Sequence, residues 1–262
     1  MNHRYTFKTL LLPASISLLL VFNSCSTHVY APALYHQDIA YMPKPASFSK
    51  EKVATYASAG VNLYNDPTYQ NTQESGQFNL SQGFRFNNTN FAWNMFGVAG
   101  DYSKSQDIDG QYVDFKDKFF GAAGARISAN LFTTYEKMEW RYLGFEAVYS
   151  REFGAYADYR KQVMQEPGYI VDPRTELVSA GLTTEFVFHG RDIEIVHGLR
   201  GFLGTTFGRN ILNDPRYDNQ TDFNTRLSRA LVPRASYFIN VKRFFAVAEV
   251  GSAFFVRAGV KF

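Results

Sequence analysis

The chain from residue 52 to its C-terminus is dominated by an alternation of apolar and polar side chains. Arg257 and Lys261 mark the polar parity of the last segment, where the period of two is clearest. The opposite parity is apolar and consists of Phe254, Val256, Ala258, Val260 and Phe262. A β-strand with one face in lipid and the other in a polar interior has this pattern.

The same alternation along the chain predicts about ten strands. The predicted strands are residues 52–64, 77–86, 91–103, 117–132, 137–151, 176–188, 192–208, 230–240, 243–251 and 253–262.

Two of these segments are irregular. In residues 91–103, Trp93 competes with Phe96 for the apolar face, so a β-bulge that switches the register is one solution there. Pro233 lies in the predicted eighth strand, where it forfeits a ladder hydrogen bond if both neighbours are paired.

The connections between the predicted strands alternate in length. The short ones are residues 87–90, 134–136, 189–191 and 241–242, and the long ones are residues 65–76, 104–116, 152–175 and 209–229. Short periplasmic turns alternating with long external loops are typical of a membrane barrel. The expected fold is therefore all-β: a small closed antiparallel transmembrane β-barrel over residues 52–262. An even strand count predicts that both the N-terminus and the C-terminus lie on the periplasmic side.

The N-terminal residues have the pattern of a secretory signal peptide. Arg4 and Lys8 precede an apolar run from Leu10 to Phe22, which is too short for a good membrane-spanning helix. Residues 1–24 are predicted to be removed. The context Val21-Phe22-Asn23-Ser24-Cys25 resembles a bacterial lipobox, although Phe22 stands where leucine is usual. Lipidation of Cys25 is the expectation, and the alternative is cleavage that leaves an unmodified thiol.

Residues 25–51 lack sustained periodicity and contain Pro43 and Pro45 close together. This composition predicts an extended tether between the lipid and the first strand. The alternative is that the stretch folds back into the barrel as a plug.

The composition excludes several classes of protein. Loss of Arg4 and Lys8 with the signal peptide lowers the net charge from +3 to +1, which gives no support to nucleic-acid binding. Aromatic residues make up 17% of the chain, yet the mean hydropathy is −0.26 and the mature part has no long apolar run. Helical membrane spans are thereby excluded, whereas a membrane barrel fits, because only alternate residues of its strands face lipid.

The parity opposite the apolar face collects nine charged residues that we predict to form a network in the lumen. They are Arg85, Arg126, Glu146, Glu185, Glu194, Arg200, Arg234, Glu249 and Arg257. Because an unpaired buried charge is costly, these residues are expected to pair. A barrel of about ten strands is only slightly wider than one whose side chains already fill it, so an open pore is not expected.

No residue set in the mature chain predicts catalysis. The four histidines are His28, His36, His189 and His197, and none lies in a long external loop. A protease resembling the omptin family is therefore disfavoured, even though Asp107, Asp109 and Asp114 are present. His197 would need a register error to join Ser179 or Thr183 in a lipid-facing hydrolase. The acidic loops lack the full spacing of a calcium loop, so neither a metal nor a cofactor is expected.

Three features resemble the lipidated outer-membrane barrels of the Bacteroidota type: the cysteine after the signal, the Tyr30-Ala31-Pro32 stretch and the terminal Phe262. The resemblance implies an outer-membrane location, with Phe262 recognised by the barrel-assembly machinery. The stretch after Cys25, residues 26–30, does not look like the acidic surface-export signal of such lipoproteins. This implies an anchor in the inner leaflet.

The leading functional hypothesis is a structural or accessory subunit of an outer-membrane complex, without an open pore. Its expected partners are outer-membrane lipid, the barrel-assembly machinery and other proteins of such a complex. The alternatives are a narrow transport or channel barrel and a barrel-borne lipid or peptide hydrolase.

Overall fold

The computed structural model describes residues 28–66, 71–104, 107–108, 111–112, 115–167, 169–190, 195–208 and 222–262. The signal peptide, Cys25 and Glu194 lie outside these ranges.

Ten antiparallel strands form a closed barrel, which confirms the predicted fold. They are β2 (Val53–Asp66), β3 (Asn71–Arg85), β4 (Thr89–Lys104), β7 (Phe115–Thr134), β8 (Met138–Phe153), β10 (Glu176–His189), β11 (Ile195–Thr206), β12 (Val232–Val241), β13 (Phe244–Val250) and β14 (Phe254–Lys261). Each strand pairs with its neighbours in chain order, and β14 closes the barrel by pairing with β2.

Within the described residues, four short strands and two helices lie outside the barrel wall. They are β1 (His28–Tyr30), β5 (Asp107–Ile108), β6 (Gln111–Tyr112), β9 (Tyr169–Val171), α1 (Ala155–Val163) and α2 (Phe223–Ala230). β5 and β6 form a hairpin between β4 and β7, whereas α1 and β9 belong to the long connection between β8 and β10.

The outer face of the barrel is apolar because the sequence alternation follows the pleat of each strand. Large exposed side chains occur on most strands of the wall, among them Val61, Leu80, Met95, Ile127, Phe145, Leu182, Leu199, Tyr237 and Val256. A monomer in water rarely exposes so much apolar surface, whereas the hydrocarbon of a bilayer solvates it. Within the described ranges, none of the helices has the length and apolar character needed to cross a membrane.

β4 keeps one facing along residues 89–102, so the register switch considered for residues 91–103 does not occur. Met95 faces outward while Phe96 and Val98 are buried inside the barrel. The ring of Phe96 lies under the guanidinium group of Arg126, 3.6 Å from the ring centroid. This cation–π contact helps to explain how a large apolar ring is accommodated on the polar inner face.

The pairing of β4 with β7 shifts between Tyr102 and Lys104, and a bulge lies in β8. Its pairing shifts between Leu131 and Thr133 on β7, and between Thr183 and Glu185 on β10. At this point two successive residues of β8, Tyr142 and Leu143, are both exposed. The inward parity of β8 therefore changes from odd-numbered to even-numbered residues, as expected where a bulge inserts one extra residue.

Pro233 is tolerated because of its place near the start of β12. It pairs with Leu203 of β11, but the pairing of β12 with β13 begins only at Ala235 and Val250. One side of β12 is therefore without a strand partner at Pro233, as at a sheet edge. The eighth strand exists as predicted.

The segment predicted as a tether lies inside the barrel, which is the second of the two arrangements left open by the sequence. We call residues 31–47 the plug. Ala33 and Leu34 are buried near one end of the barrel, and residues 38–46 are buried deeper in the lumen. The plug ends at Ser47, beside the short connection between β3 and β4, and β2 begins at Val53.

The first described residue and the C-terminus lie at opposite ends of the barrel. β1 pairs in parallel with β9, which belongs to a long loop, whereas Phe262 bonds to Thr55 near the start of β2 at the short-turn end. His28 and Phe262 are therefore at opposite ends of the described barrel, and the side of the membrane that each chain end faces stays a prediction. The even strand count does place residues 53 and 261 at the same end, but the plug carries the chain back across the barrel.

A glycine makes room for the plug. A Cβ atom added at Gly83 would lie 2.9 Å from Pro45 Cδ, 3.1 Å from Lys44 Cα and 3.1 Å from Pro43 O. We expect Gly83→Ala to lower the free energy of unfolding by about 1–3 kcal/mol, because the proline ring is rigid and the plug must shift. Urea-induced unfolding of the detergent-solubilised barrel measures this change.

Gly97→Ala is the matched control, since no atom lies within 4 Å of the added Cβ. This variant should be neutral or slightly stabilised, because alanine restricts the unfolded chain more than glycine does. Equal stability of the two variants would contradict the packing of residues 43–45 against β3.

Candidate functional site: the charged lumen and its plug

Seven of the nine charged residues predicted for the lumen are buried there, with exposed fractions of 6% or less. They are Arg126, Glu146, Glu185, Arg200, Arg234, Glu249 and Arg257. Arg85 is half-buried at the short-turn mouth, and Glu194 lies outside the described residues.

Five arginines donate to backbone carbonyls of the plug, and three of them, from three strands, do so near its middle. Arg126 Nε donates to the carbonyl of Asp38 at 2.7 Å, and Arg234 Nη1 donates to the carbonyl of Ile39 at 2.6 Å. Arg257 Nη2 donates to the carbonyl of Tyr41 at 2.5 Å. A plug without its own secondary structure has no ladder partners for these buried carbonyls, so side chains of the wall supply them.

Glu249 binds the same part of the plug as a hydrogen-bond acceptor, whereas the arginines bind it as donors. Its carboxylate accepts the Tyr41 N–H at 3.0 and 3.2 Å and the Ser236 hydroxyl at 2.8 Å. It also pairs with Arg257 at 3.3 Å and with Arg200 at 3.8 Å. Arg200 in turn pairs with Glu146. The network therefore includes the backbone of the plug as well as the charges of the wall.

A second cluster surrounds Lys44, which the plug places in the lumen with its side chain fully buried. Its Nζ donates to Glu185 at 2.9 Å, Asn130 at 2.6 Å and Ser128 at 2.9 Å. Arg141 bonds the other oxygen of Glu185 at 2.7 Å. All three ammonium protons of Lys44 thus have a described acceptor.

Several members of the network do not follow from the strand pattern of the sequence. Glu139 and Arg141 pair at 2.6 Å, and both precede the β8 bulge, so a constant parity along β8 excludes them. Lys44 and Asp38 belong to the plug. The plug has no alternation of polar and apolar residues, so its sequence does not indicate which side chains point to the barrel wall. The signal that could have revealed Lys44 is its position between two prolines, which leaves a lone cation in an otherwise uncharged stretch, residues 39–49.

Arg160 of α1 joins the loop at the long-loop end to the plug. Its guanidinium donates to the carbonyl of Asp172 at 2.6 Å and to Glu152 at 2.8 Å, and Glu152 accepts the Ala33 N–H at 2.7 Å. The loop packs on the plug further through aromatic rings: Tyr156 donates to the carbonyl of Ala31 at 2.8 Å. This end of the lumen is covered.

The buried charges nearly balance. Among the described buried residues there are eight cations and seven acids, so the lumen needs no substantial net charge from a bound ion. His36 lies at the long-loop end of the plug, where its carbonyl accepts from Arg234 Nη2 at 3.2 Å and from the Ser252 hydroxyl at 2.9 Å. The backbone of His36 has φ 62°, a left-handed conformation that is uncommon outside glycine.

One wall of the lumen is neutral. The inward face of β3 carries amides and hydroxyls: Asn71, Gln73, Ser75, Gln77, Asn79 and Ser81. The cavity between this wall and the plug measures about 10 Å³, enough for about one water molecule. Among the described atoms here, Asp38 Oδ1, Asn62 Oδ1 and Ser75 Oγ are buried without a protein partner, so water is the natural partner for them.

The residues considered for catalysis are not brought together. His197 is on the outer parity, against the rings of Phe188 and Tyr237. Ser179 is inside and hydrogen-bonds Thr206 at 2.8 Å, and Thr183 is inside and accepts from Asn130 at 3.0 Å. His189 bonds the carbonyl of Gly190 in its own turn and that of Glu136 in the turn between β7 and β8. The side chains of His28, Asp107, Asp109 and Asp114 lie outside the described residues. Nor do the described residues contain a cluster of three or more potential metal ligands.

No family model matches the chain, and no curated protein matches it. Among solved structures, the β domain of the Bordetella autotransporter BrkA has 9% identity and a TM-score of 0.45, covering 81% of this chain and 99% of that one. The translocator domain of the autotransporter NalP from Neisseria meningitidis has 10% identity and a TM-score of 0.35, with coverages of 82% and 90%. The TodX monoaromatic hydrocarbon channel has 9% identity and a TM-score of 0.31, with coverages of 89% and 72%.

These scores are all below 0.5, so the fold assignment rests on the strand pairing of the chain itself. A closed antiparallel barrel with an apolar outer face and a buried polar interior belongs to the class of outer-membrane-type β-barrels.

The network predicts a large cost for removing one partner of a buried pair. Arg200→Met leaves Glu146 with Ser128 as its remaining described side-chain partner, at 3.3 Å. We expect the free energy of unfolding to fall by about 3–5 kcal/mol, because a buried carboxylate loses its counter-charge. Urea-induced unfolding in detergent measures this loss.

Two variants serve as comparisons for Arg200→Met. The double variant Arg200→Met with Glu146→Leu should recover part of the loss, since no uncompensated charge remains. Arg151→Gln should change the stability by about 1 kcal/mol or less, because its pair with Glu176 is exposed and spans 3.9 Å. If Arg200→Met were as mild as Arg151→Gln, the buried network would not hold the barrel together.

Proposed function

We propose that this protein is an outer-membrane β-barrel that acts as a structural or accessory subunit and has no open pore. The observation that carries this proposal is the contact of lumen arginines with consecutive plug carbonyls, those of Asp38 and Ile39. A plug held by buried, charge-assisted bonds is costly to remove. The barrel wall is then a rigid support rather than a passage.

The surfaces left for partners are those outside the lumen. The lipid-facing wall fits outer-membrane lipid, and the long loops at one end are available to other subunits of a complex. Phe262, with 76% of its surface exposed, is the residue that we propose the barrel-assembly machinery recognises. The resemblance to lipidated barrels of the Bacteroidota type supports the same placement.

We propose that the protein is not an enzyme. Support comes from the lumen, where most of the buried charged groups bond each other or the plug. Further support comes from His197, which lies on the outer face of the wall, whereas Ser179 and Thr183 lie on the inner face. A hydrolase site would need these groups on one face.

A narrow conduit is the second candidate, and the neutral β3 wall favours it. Gln73 has both side-chain polar atoms buried without a described protein partner, and Gln77 faces the small cavity beside Asp38. Movement of the plug away from this wall would break fewer charged contacts than movement away from Glu249 and Arg257.

Conductance distinguishes the two candidates. In planar bilayers we expect the wild-type protein to show no large, steady ion current, because the lumen is filled. A variant lacking residues 32–46 that still folds, as judged by heat-dependent migration on a gel, should conduct. Large steady currents through the wild-type protein would favour the conduit and contradict a fixed plug.

Lipidation of Cys25 is part of the proposal. Growth with a labelled fatty acid should label the wild-type protein, and Cys25→Ala should abolish that label, because the chain has no other cysteine. Label that persists in Cys25→Ala would place the acyl group elsewhere.

A further inference from the structure

We infer that the N-terminal chain crosses the whole barrel and that it emerges at the long-loop face of the membrane, opposite the C-terminus. This inference rests on the proposed membrane-spanning function of the barrel. It reverses the periplasmic N-terminus expected from the sequence.

The C-terminal end of the plug is fixed at the short-turn end of the barrel. The Ser47 N–H donates to Glu139, which lies near the start of β8, and Arg85 at the end of β3 donates to the carbonyl of Ser47. Arg141 and the amide of Asn90 also bond Glu139, at 2.6 and 3.2 Å. Residues at the turn ends of β3, β4 and β8 therefore surround one end of the plug.

The N-terminal end of the described chain, β1, is fixed among the long loops. β1 pairs in parallel with β9, with His28 opposite Tyr169 and Tyr30 opposite Val171. Lys104, the last residue of β4, donates to the carbonyl of Val29 at 3.0 Å. β4 runs from a short turn to a long loop, so its last residue marks the loop end of the wall.

The contacts between these ends follow the order of the chain. From the loop end, Ala33 bonds Glu152, Asp38 bonds Arg126 and Ser150, Tyr41 bonds Glu249 and Arg257, and Lys44 bonds Glu185. The order is monotonic, without a return loop. The direction of the crossing is therefore set by contacts of four plug residues with six wall residues along the lumen, rather than by one contact.

The direction has a consequence for any group at the mature N-terminus. Cys25 is three residues before His28, and three residues span at most about 10 Å. The hydrocarbon core of a bilayer is about 30 Å thick. A group on Cys25 therefore stays on the face from which β1 emerges, and an acyl chain there enters the leaflet on the long-loop side.

Epitope accessibility tests the direction in whole cells. One epitope is inserted directly before His28, a second between Asp214 and Pro215 in the loop before α2, and a third between Lys242 and Arg243 in the short turn before β13. Each tagged protein is checked for heat-dependent gel migration. Antibody binding is then compared on intact and on permeabilised cells.

We expect the first and second epitopes to bind antibody on intact cells, and the third only after permeabilisation. If the first epitope behaves like the third while the second remains accessible, the inference is overturned and the barrel proposal stands. If the second and third epitopes behave alike, the membrane-spanning barrel itself is contradicted.

A single substitution tests the same direction if the protein with the first epitope does not fold. Thr27→Cys adds one thiol beside Cys25, and a membrane-impermeant maleimide should label this variant on intact cells above the wild-type level. Labelling that requires permeabilisation would overturn the inference. Wild-type protein is the matched control, because it carries Cys25 alone.

Discussion

The structure depends on the need to satisfy buried polar groups inside a closed barrel. The wall presents arginine, glutamate and amide side chains to a lumen from which water is almost excluded, and unpaired charges there are costly. The plug supplies what the wall lacks: carbonyls for Arg126, Arg234 and Arg257, and an ammonium group for Glu185. Wall and plug therefore depend on each other, because each supplies hydrogen-bond partners for buried polar groups of the other.

The same constraint shapes the wall. The bulge in β8 turns Glu139 and Arg141 inward at the short-turn end while Glu146 faces inward nearer the middle. Gly83 leaves space for the Pro43–Pro45 backbone, where any side chain would collide with it. Both irregularities, the β8 bulge and Gly83, thus lie where the barrel wall packs against the plug.

The placement of the polar groups also explains the functional proposal. A catalytic site needs a cavity with access and side chains with unused hydrogen-bonding capacity, whereas most of the charged groups here bond each other or the plug. The unpartnered atoms concentrate on the neutral β3 side, which has room for about one water molecule beside the plug. The long-loop end is different, because β1 pairs with β9 there and the rings of Tyr30 and Tyr159 of α1 are in contact, so the loop has a packed structure of its own.

The sequence by itself determined the ten strands, the approximate ends of most of them and seven of the buried charges, because a period of two reports directly which side chains share a face. The period of two is not sufficient at single positions. Pro233 is tolerated because the neighbouring strand β13 does not extend to it, and Phe96 is accommodated inside the barrel by its cation–π contact with Arg126. Only the tertiary structure decided the partners of each charge, the β8 bulge and the path of residues 31–47. That stretch has no periodicity, and its position follows from hydrogen bonds to residues as many as 216 positions away in the chain, which no local pattern encodes.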